Sequence, residues 1–198
     1  MRKIGLLGSS FNPPHLGHLL MAQQAIERFE LEKVLLIPTK NPYHKKTQDL
    51  DYNIRFQMAQ LEAKDNPKFE LSSVENDISG KSYTYDVVNL LRKEYSDTSF
   101  YFIMGSDSLI NFETWYKSNE LIHMMNYIVF KRPEDEDIGY LISNYKDKGM
   151  ALEYVEDVQV EISSSFIRKS VNEGKSIKYL VTDKIETYIL ENNLYEDI

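Results

Sequence analysis

Short apolar runs alternate with segments whose apolar residues recur every three or four positions, and this alternation organises the whole chain. Ile4-Gly5-Leu6-Leu7 predicts a first strand over 2–8, and Leu19, Leu20, Ala22, Ala25 and Ile26 predict a first helix over about 17–30. Val34-Leu35-Leu36-Ile37-Pro38 predicts a second strand closed by proline. Such a βαβ unit closes right-handed with its strands parallel. Ile54, Met58 and Leu61 place a helix over about 51–64, and Phe69-Glu70-Leu71-Ser72 a short third strand. Val87, Val88, Leu90 and Leu91 lie on a helix that Ser82 or Thr84 can cap. Ser99-Phe100-Tyr101-Phe102-Ile103-Met104 is the strongest continuous apolar run, as expected of a central strand buried on both faces. Asn126-Tyr127-Ile128-Val129-Phe130 is the next strand, and 134–148 has the acidic start and Lys-rich end of a helix. Leu152-Glu153-Tyr154-Val155 and Val158-Gln159-Val160 are short strand candidates, and a further strand leads through Glu161-Ile162 into a helix. Ile185, Ile189 and Leu190 mark a closing helix between Thr182 and Asn192.

This order implies an α/β protein: a Rossmann-like, doubly wound, mostly parallel sheet with helices on both faces and a small C-terminal helical part over about 163–198. A chain of 198 residues suits one domain spanning 1–198. The net charge of −8 argues against a nucleic-acid partner held by bulk positive charge, so an anionic substrate must be met locally. The absence of cysteine excludes disulfides and thiolate metal sites. The apolar start is too short for a signal peptide, and no run reaches the roughly 18 residues of a membrane span. A cytoplasmic protein without membrane attachment is expected, and a homo-oligomer stays open.

The candidate chemistry sits where strands give way to helices. Gly8-Ser9-Ser10-Phe11-Asn12-Pro13-Pro14-His15-Leu16-Gly17-His18 is the first such turn. It places two imidazoles beside a helix N-terminus, whose free N–H groups attract anions. The loop over 39–47 carries three lysines, Lys40, Lys45 and Lys46, with His44. It reads either as solvated surface or as a second phosphate loop, and its position after a strand favours the latter. Arg55, near a helix start that disfavours cations, reads as exposed. Gly80-Lys81-Ser82 lacks the upstream glycine of a phosphate-binding loop and is set aside. Gly105-Ser106-Asp107-Ser108-Leu109 is a further small-residue loop, whose Asp107 either caps the next helix or meets a ribose hydroxyl or metal. Trp115 reads as core or as a stacking surface, and His123 as a buried or interfacial structural residue. In Ile162-Ser163-Ser164-Ser165-Phe166-Ile167-Arg168, one serine suffices as a cap. The other hydroxyls and the guanidinium make a cradle for a polyphosphate.

The first turn resembles the G-x-F-[DN]-P-x-H-x-G-H signature of the nucleotidyltransferase superfamily, and Ile162 to Arg168 resembles its partner I-S-S-T-x-I-R. Within that superfamily the chain is most similar to bacterial nicotinate-nucleotide adenylyltransferases. Ser9, Asn12 and Ser165 depart from the usual Gly, Asp and Thr without removing a phosphate-binding group. The resemblance implies adenylyl transfer from ATP to nicotinate mononucleotide, with Mg²⁺ entering on the ATP phosphates. His15, His18, Lys45 and Arg168 would be catalytic. ATP would be held by Gly8, Ser9, Ser10, Phe11, His18, Gly105, Asp107, Ile162, Ser163, Ser164 and Arg168. The pyridine nucleotide would meet Asn12, Lys45, Tyr83, Thr84, Trp115 and Arg132, with Tyr83 and Thr84 offering backbone donors and Trp115 stacking on the ring. The alternatives are another acceptor (nicotinamide mononucleotide, phosphopantetheine or an alcohol phosphate) or a non-catalytic nucleotide-binding module. The latter would leave His15 and His18 dispensable.

Overall fold

The structure is a computed structural model and describes residues 1–41, 50–133, 138–159 and 161–196. Six strands form one sheet: β1 (Arg2–Ser9), β2 (Lys33–Pro38), β3 (Phe69–Leu71), β4 (Thr98–Gly105), β5 (Asn126–Phe130) and β6 (Leu152–Val155). Every pairing is parallel, in the order β3-β2-β1-β4-β5-β6. The chain thus winds outward from β1 in one direction and, after β4, in the other. The strand ends of β1 and β4 flank the point where the winding reverses, which is where open α/β sheets hold ligands.

Strand residues alternate between the two faces, and each face has its own core. Ile4, Leu6, Leu35, Ile37, Phe102, Met104 and Tyr127 pack on one side with α3 (Thr84–Glu94) and α6 (Gly139–Asp147). Leu7, Val34, Leu36, Ile103 and Ile128 pack on the other with α1 (Leu16–Phe29) and α2 (Tyr52–Ala63). Gly5 is required here: a Cβ would meet Val34 Cγ2 at 2.8 Å and Leu31 Cδ1 at 3.0 Å. A third cluster joins Met58 of α2 to Ile167 of α7 (Ser164–Asn172), Ile185 and Ile189 of α8 (Asp183–Glu191), and Tyr195. The last two helices therefore dock on α2 and not on the sheet.

The expected strands and long helices are present, with shifts of a residue or two at their ends, except at four places. Gly105 to Leu109 is not a loop: Ser106–Ile110 is a short helix, α4, which starts directly where β4 stops. One more short helix, α5 (Ser118–Leu121), precedes β5. Residues 158 and 159 are irregular, as are 161–163, so neither expected strand forms there among the described residues. The sheet ends at β6; beyond it Val158 packs on the core beside Phe130 and Val155 without pairing as a strand, and Asp157 pairs with Arg28 at 2.9 Å. The helix expected over 134–148 is described only as α6, residues 134–137 lying outside the described residues.

Candidate active site

A cleft of about 640 Å³ opens at the carboxyl ends of β1 and β4. One wall carries Gly8, Ser9, Ser10 and His18, the other Gly105, Asp107 and Arg132; Tyr83, Thr84, Trp115 and Tyr116 close one end. Sequence-distant candidates thus meet in one place.

The turn after β1 is built on buried rings. Phe11 adopts a positive φ of 48° and is held there by burial of its ring, 5.0 Å from that of His18. That conformation is strained for a non-glycine residue, and it occurs directly behind the cleft-lining Ser9 and Ser10, as fits a functional turn. His15 is the N-cap of α1 and His18 its third residue, with the two rings stacked at 3.7 Å. The His15 N–H donates to His18 Nδ1 at 3.2 Å, so the proton of a neutral His18 lies on Nε2, which faces Ser9 Oγ at 3.1 Å. Burial, and then the charge of Arg132, push His15 down to about 4; burial, His15 and Arg132 hold His18 well below the ordinary imidazole value. Both are neutral near pH 7. His15 Nδ1 is buried and has no hydrogen-bond partner among the described residues.

The C-terminal serine turn meets this loop from behind. Ser163 caps α7 by accepting the Phe166 N–H at 3.2 Å. The Ser164 hydroxyl donates to the Pro13 carbonyl at 2.8 Å across 151 residues of chain. Arg168 donates to the Asn12 carbonyl at 2.7 Å through Nη1, and its Nη2 to Ser165 Oγ at 3.2 Å. All three hydroxyls therefore have work inside the protein. Asn12 and Phe11 are buried as whole residues and do not line the cleft; the Asn12 carbonyl is taken by Arg168 and the Phe11 N–H by Ser9 Oγ, so these two expected ligand contacts are structural in the free protein. Ile162 is half-buried, outside any regular element.

At the other wall the N-cap of α3 is Tyr83, with neither Ser82 nor Thr84 capping by its side chain. Ser82 is engaged elsewhere, its Oγ accepting the Asn41 N–H at 3.2 Å. Trp115 is half-buried and serves both readings: it packs on Phe102 and Phe112 and still lines the cleft. Tyr116, 45% exposed, stacks on Tyr83 at 4.5 Å. Asp107 stands in the first turn of α4, 3.4 Å from Arg132 Nε. A Cβ on Gly105 would collide with Asp107 Oδ1 and Arg132 Nε, so this glycine lets both side chains close over the end of β4. Lys45 lies outside the described residues. His123 is exposed and not buried, following α5 on the surface beside Gly149, which leaves the interfacial alternative of the sequence reading open.

Arg55 overturns its sequence reading. It is fully buried and donates to four backbone carbonyls, those of Leu50, Ser10, Thr39 and Lys40. Carbonyl oxygens outweigh the unfavourable helix end, a tertiary effect that local sequence does not carry. Among the described residues no group of three or more His, Asp or Glu side chains could hold a metal ion. Among the described residues no helix is long and apolar enough to cross a membrane.

A parallel sheet with a winding reversal, a histidine-capped first helix and a serine–arginine turn facing it define a nucleotidyltransferase. Residues 6–170 match the cytidylyltransferase-like family, to which the chain belongs. Its full-length relatives place it in the nicotinate-nucleotide adenylyltransferase branch of that class. The nicotinate-nucleotide adenylyltransferase of Bacillus subtilis is 36% identical over 197 residues, which cover 99% of this chain and 100% of the relative. A probable nicotinate-nucleotide adenylyltransferase of Halalkalibacterium halodurans is 40% identical over 199 residues, covering 99% and 92%. The fold is also that of the Plasmodium falciparum nicotinic acid mononucleotide adenylyltransferase solved with NaAD, with a TM-score of 0.82, 19% identity, and 99% and 98% of the chains covered.

Proposed function

We propose that this chain transfers the adenylyl group of ATP to nicotinate mononucleotide, giving nicotinate adenine dinucleotide and pyrophosphate in NAD biosynthesis. The observation that carries the reading is the meeting of Gly8, Ser9, Ser10 and His18 with Gly105, Asp107 and Arg132 at one cleft, the serine–arginine turn being tied behind the first group through Arg168 on the Asn12 carbonyl and Ser164 on the Pro13 carbonyl. The substrate and the relatives' names agree in chemistry. An oxygen of the mononucleotide 5′-phosphate attacks the α-phosphorus of ATP; the new P–O bond forms as the α–β bridging P–O bond breaks, and pyrophosphate leaves with the electron pair. The attacking phosphate is already anionic near pH 7, so no general base and no covalent intermediate are required. Catalysis is then the placing of two anions and the stabilisation of transferred charge.

In this reading ATP lies over Gly8, Ser9 and Ser10, with its ribose toward Asp107 and Gly105 and its adenine toward Ile162 and Ser163. His18 presents Nε2–H to the α-phosphoryl group. Its neutrality in the free protein limits repulsion of nearby cations, and an arriving phosphate raises its affinity for a second proton. Arg168, already oriented by Asn12 and Ser165, extends its positive charge toward the leaving pyrophosphate. Lys45, His15 and Arg132 add positive charge or donors at the junction. Mg²⁺ enters with ATP as part of the substrate, its coordination completed by phosphate oxygens and water.

The acceptor end is a ring slot of Trp115, Tyr83 and Tyr116 with the N-terminus of α3 beside it. Backbone donors at Tyr83 and Thr84 would receive the nicotinate carboxylate, and the neutral amide would satisfy them less well. The test is pyrophosphate release from ATP with nicotinate mononucleotide, nicotinamide mononucleotide, phosphopantetheine and an alcohol phosphate in turn. The acid mononucleotide is expected to give the highest kcat/KM. A higher value with any other acceptor overturns the assignment.

A further inference from the structure

We infer that Arg55 is a positioning residue, whose buried guanidinium fixes the spacing between the loop after β1 and the loop after β2 and so sets how the two substrates approach each other. The inference rests on the adenylyl-transfer reading. The last backbone rung between these strand ends is the Thr39 N–H on the Ser9 carbonyl, at 2.9 Å. Beyond it the two chains part, and Arg55 takes over. Its Nη1 alone serves both the Ser10 carbonyl at 2.7 Å and the Thr39 carbonyl at 2.8 Å. Nε donates to the Leu50 carbonyl at 3.0 Å and Nη2 to the Lys40 carbonyl at 3.4 Å. A planar, five-donor group can hold four carbonyls in one arrangement; an ammonium on a flexible stem cannot.

The tie does not stop at Lys40. The Lys40 N–H donates to Glu75 Oε2 at 2.6 Å, and Asn41 pairs with Ser82 in both directions, N–H to Oγ at 3.2 Å and Ser82 N–H to the Asn41 carbonyl at 3.0 Å. Glu75 is 5% exposed and Ser82 7%, so each of these contacts has one buried partner. Ser82 directly precedes Tyr83, the N-cap of α3. A continuous polar chain therefore runs from Ser10, on the ATP wall, through Arg55, Thr39, Lys40, Asn41 and Ser82 to the acceptor wall. Ser10, Thr39, Glu75 and Ser82 all line the cleft. A reaction that proceeds by positioning alone is the kind in which displacing one substrate by about 1 Å costs about a hundredfold in rate.

Arg55→Lys and Arg55→Gln in the full chain test this. ATP affinity and the number of ATP-competent sites are measured by calorimetry, and turnover at saturating ATP and nicotinate mononucleotide is expressed per competent site. Both variants are expected to keep ATP affinity within about threefold and to lose at least about thirtyfold in turnover per competent site, a split that mere loss of folded protein does not produce. Turnover per site within about threefold of wild type overturns the inference, as does full recovery in Arg55→Lys, which would mean that charge and not spacing matters. Should neither variant fold, the wild-type protein decides: the Arg55 Nε–H resonance, assigned by through-bond correlation, is expected to move with a non-hydrolysable ATP analogue alone and with nicotinate mononucleotide alone. A resonance indifferent to either ligand overturns the tie. A wild-type chain that binds both ligands and releases no pyrophosphate would instead sink the adenylyl-transfer reading, leaving the resonance test to judge Arg55.

Discussion

The Tyr195 hydroxyl donates to Asn12 Oδ1 at 2.9 Å, joining residues 183 positions apart, both of them buried. The side chain that presents the turn after β1 is thereby fixed by the segment beyond α8. Tyr195→Phe keeps the ring packing and removes the donor, and is expected to lower unfolding free energy by about 1 kcal/mol and turnover by a few fold. Denaturant titration and pyrophosphate release measure the two effects, and wild-type values in both would assign the contact no role.

His18→Ala removes the Nε2–H donor from the cleft together with a ring packed between Phe11 and His15. Turnover is expected to fall by about a hundredfold or more with circular dichroism unchanged. Near-normal turnover would take His18 out of the catalytic set.

The imidazoles also make the fold pH-dependent. His15 is held at about 4 in the folded protein against an ordinary 6.5, so between these values the unfolded chain binds more protons than the folded one. Its contribution is complete above pH 6.5 and is lost as pH falls toward 4; His18 acts in the same direction. In His15→Gln, the stability lost between pH 7.5 and pH 5 is expected to be smaller than in wild type by about 2 kcal/mol. Equal losses in the two proteins would contradict the depressed value.

Glu62 works with the opposite sign. It is 1% exposed, accepts from the Thr182 hydroxyl at 2.9 Å, and is pushed up to about 7 chiefly by burial, while its Oε2 has no hydrogen-bond partner among the described residues. Stability from the neutral acid is present at low pH and is lost as pH rises from 4.5 through 7. Glu62→Gln is expected to stabilise the protein at pH 8 by on the order of 1–3 kcal/mol, an advantage that vanishes near pH 4.5. Thermal melts across that range give the comparison, and a variant less stable at pH 8 would refute it.

Trp115 separates the two substrates. If its indole stacks on the pyridine ring, Trp115→Ala raises KM for nicotinate mononucleotide by about tenfold or more and leaves KM for ATP within about twofold. Equal rises would show that the residue only supports the cleft wall.

How much of this was legible beforehand depended on whether the determining contacts were local. The strands of the parallel sheet could be read because burial on both faces leaves them continuous apolar runs, as in Phe100 to Met104. The turn after β1 and the serine–arginine turn could be read because their residue types are uncommon together. The helix Ser106–Ile110 could not, since five residues hold little more than one period. Among the described residues, 158–159 and 161–162 are irregular against expectation, since a β-type pattern forms a strand only beside a partner and the sheet ends at β6. Arg55 and Tyr195 were opaque for a related reason: their partners are backbone and side-chain groups that only tertiary folding delivers.

The clamp on the turn after β1 also orders events during synthesis. The Leu16 N–H, at the start of α1, is taken by the Leu180 carbonyl at 3.0 Å, as Pro13 and Asn12 are by Ser164 and Arg168. A chain still on the ribosome carries its phosphate turn from the first moments, yet lacks the residues that shape it until α7, α8 and Tyr195 have emerged. The contacts that shape this turn are therefore the last to become available, after every strand of the sheet has been made.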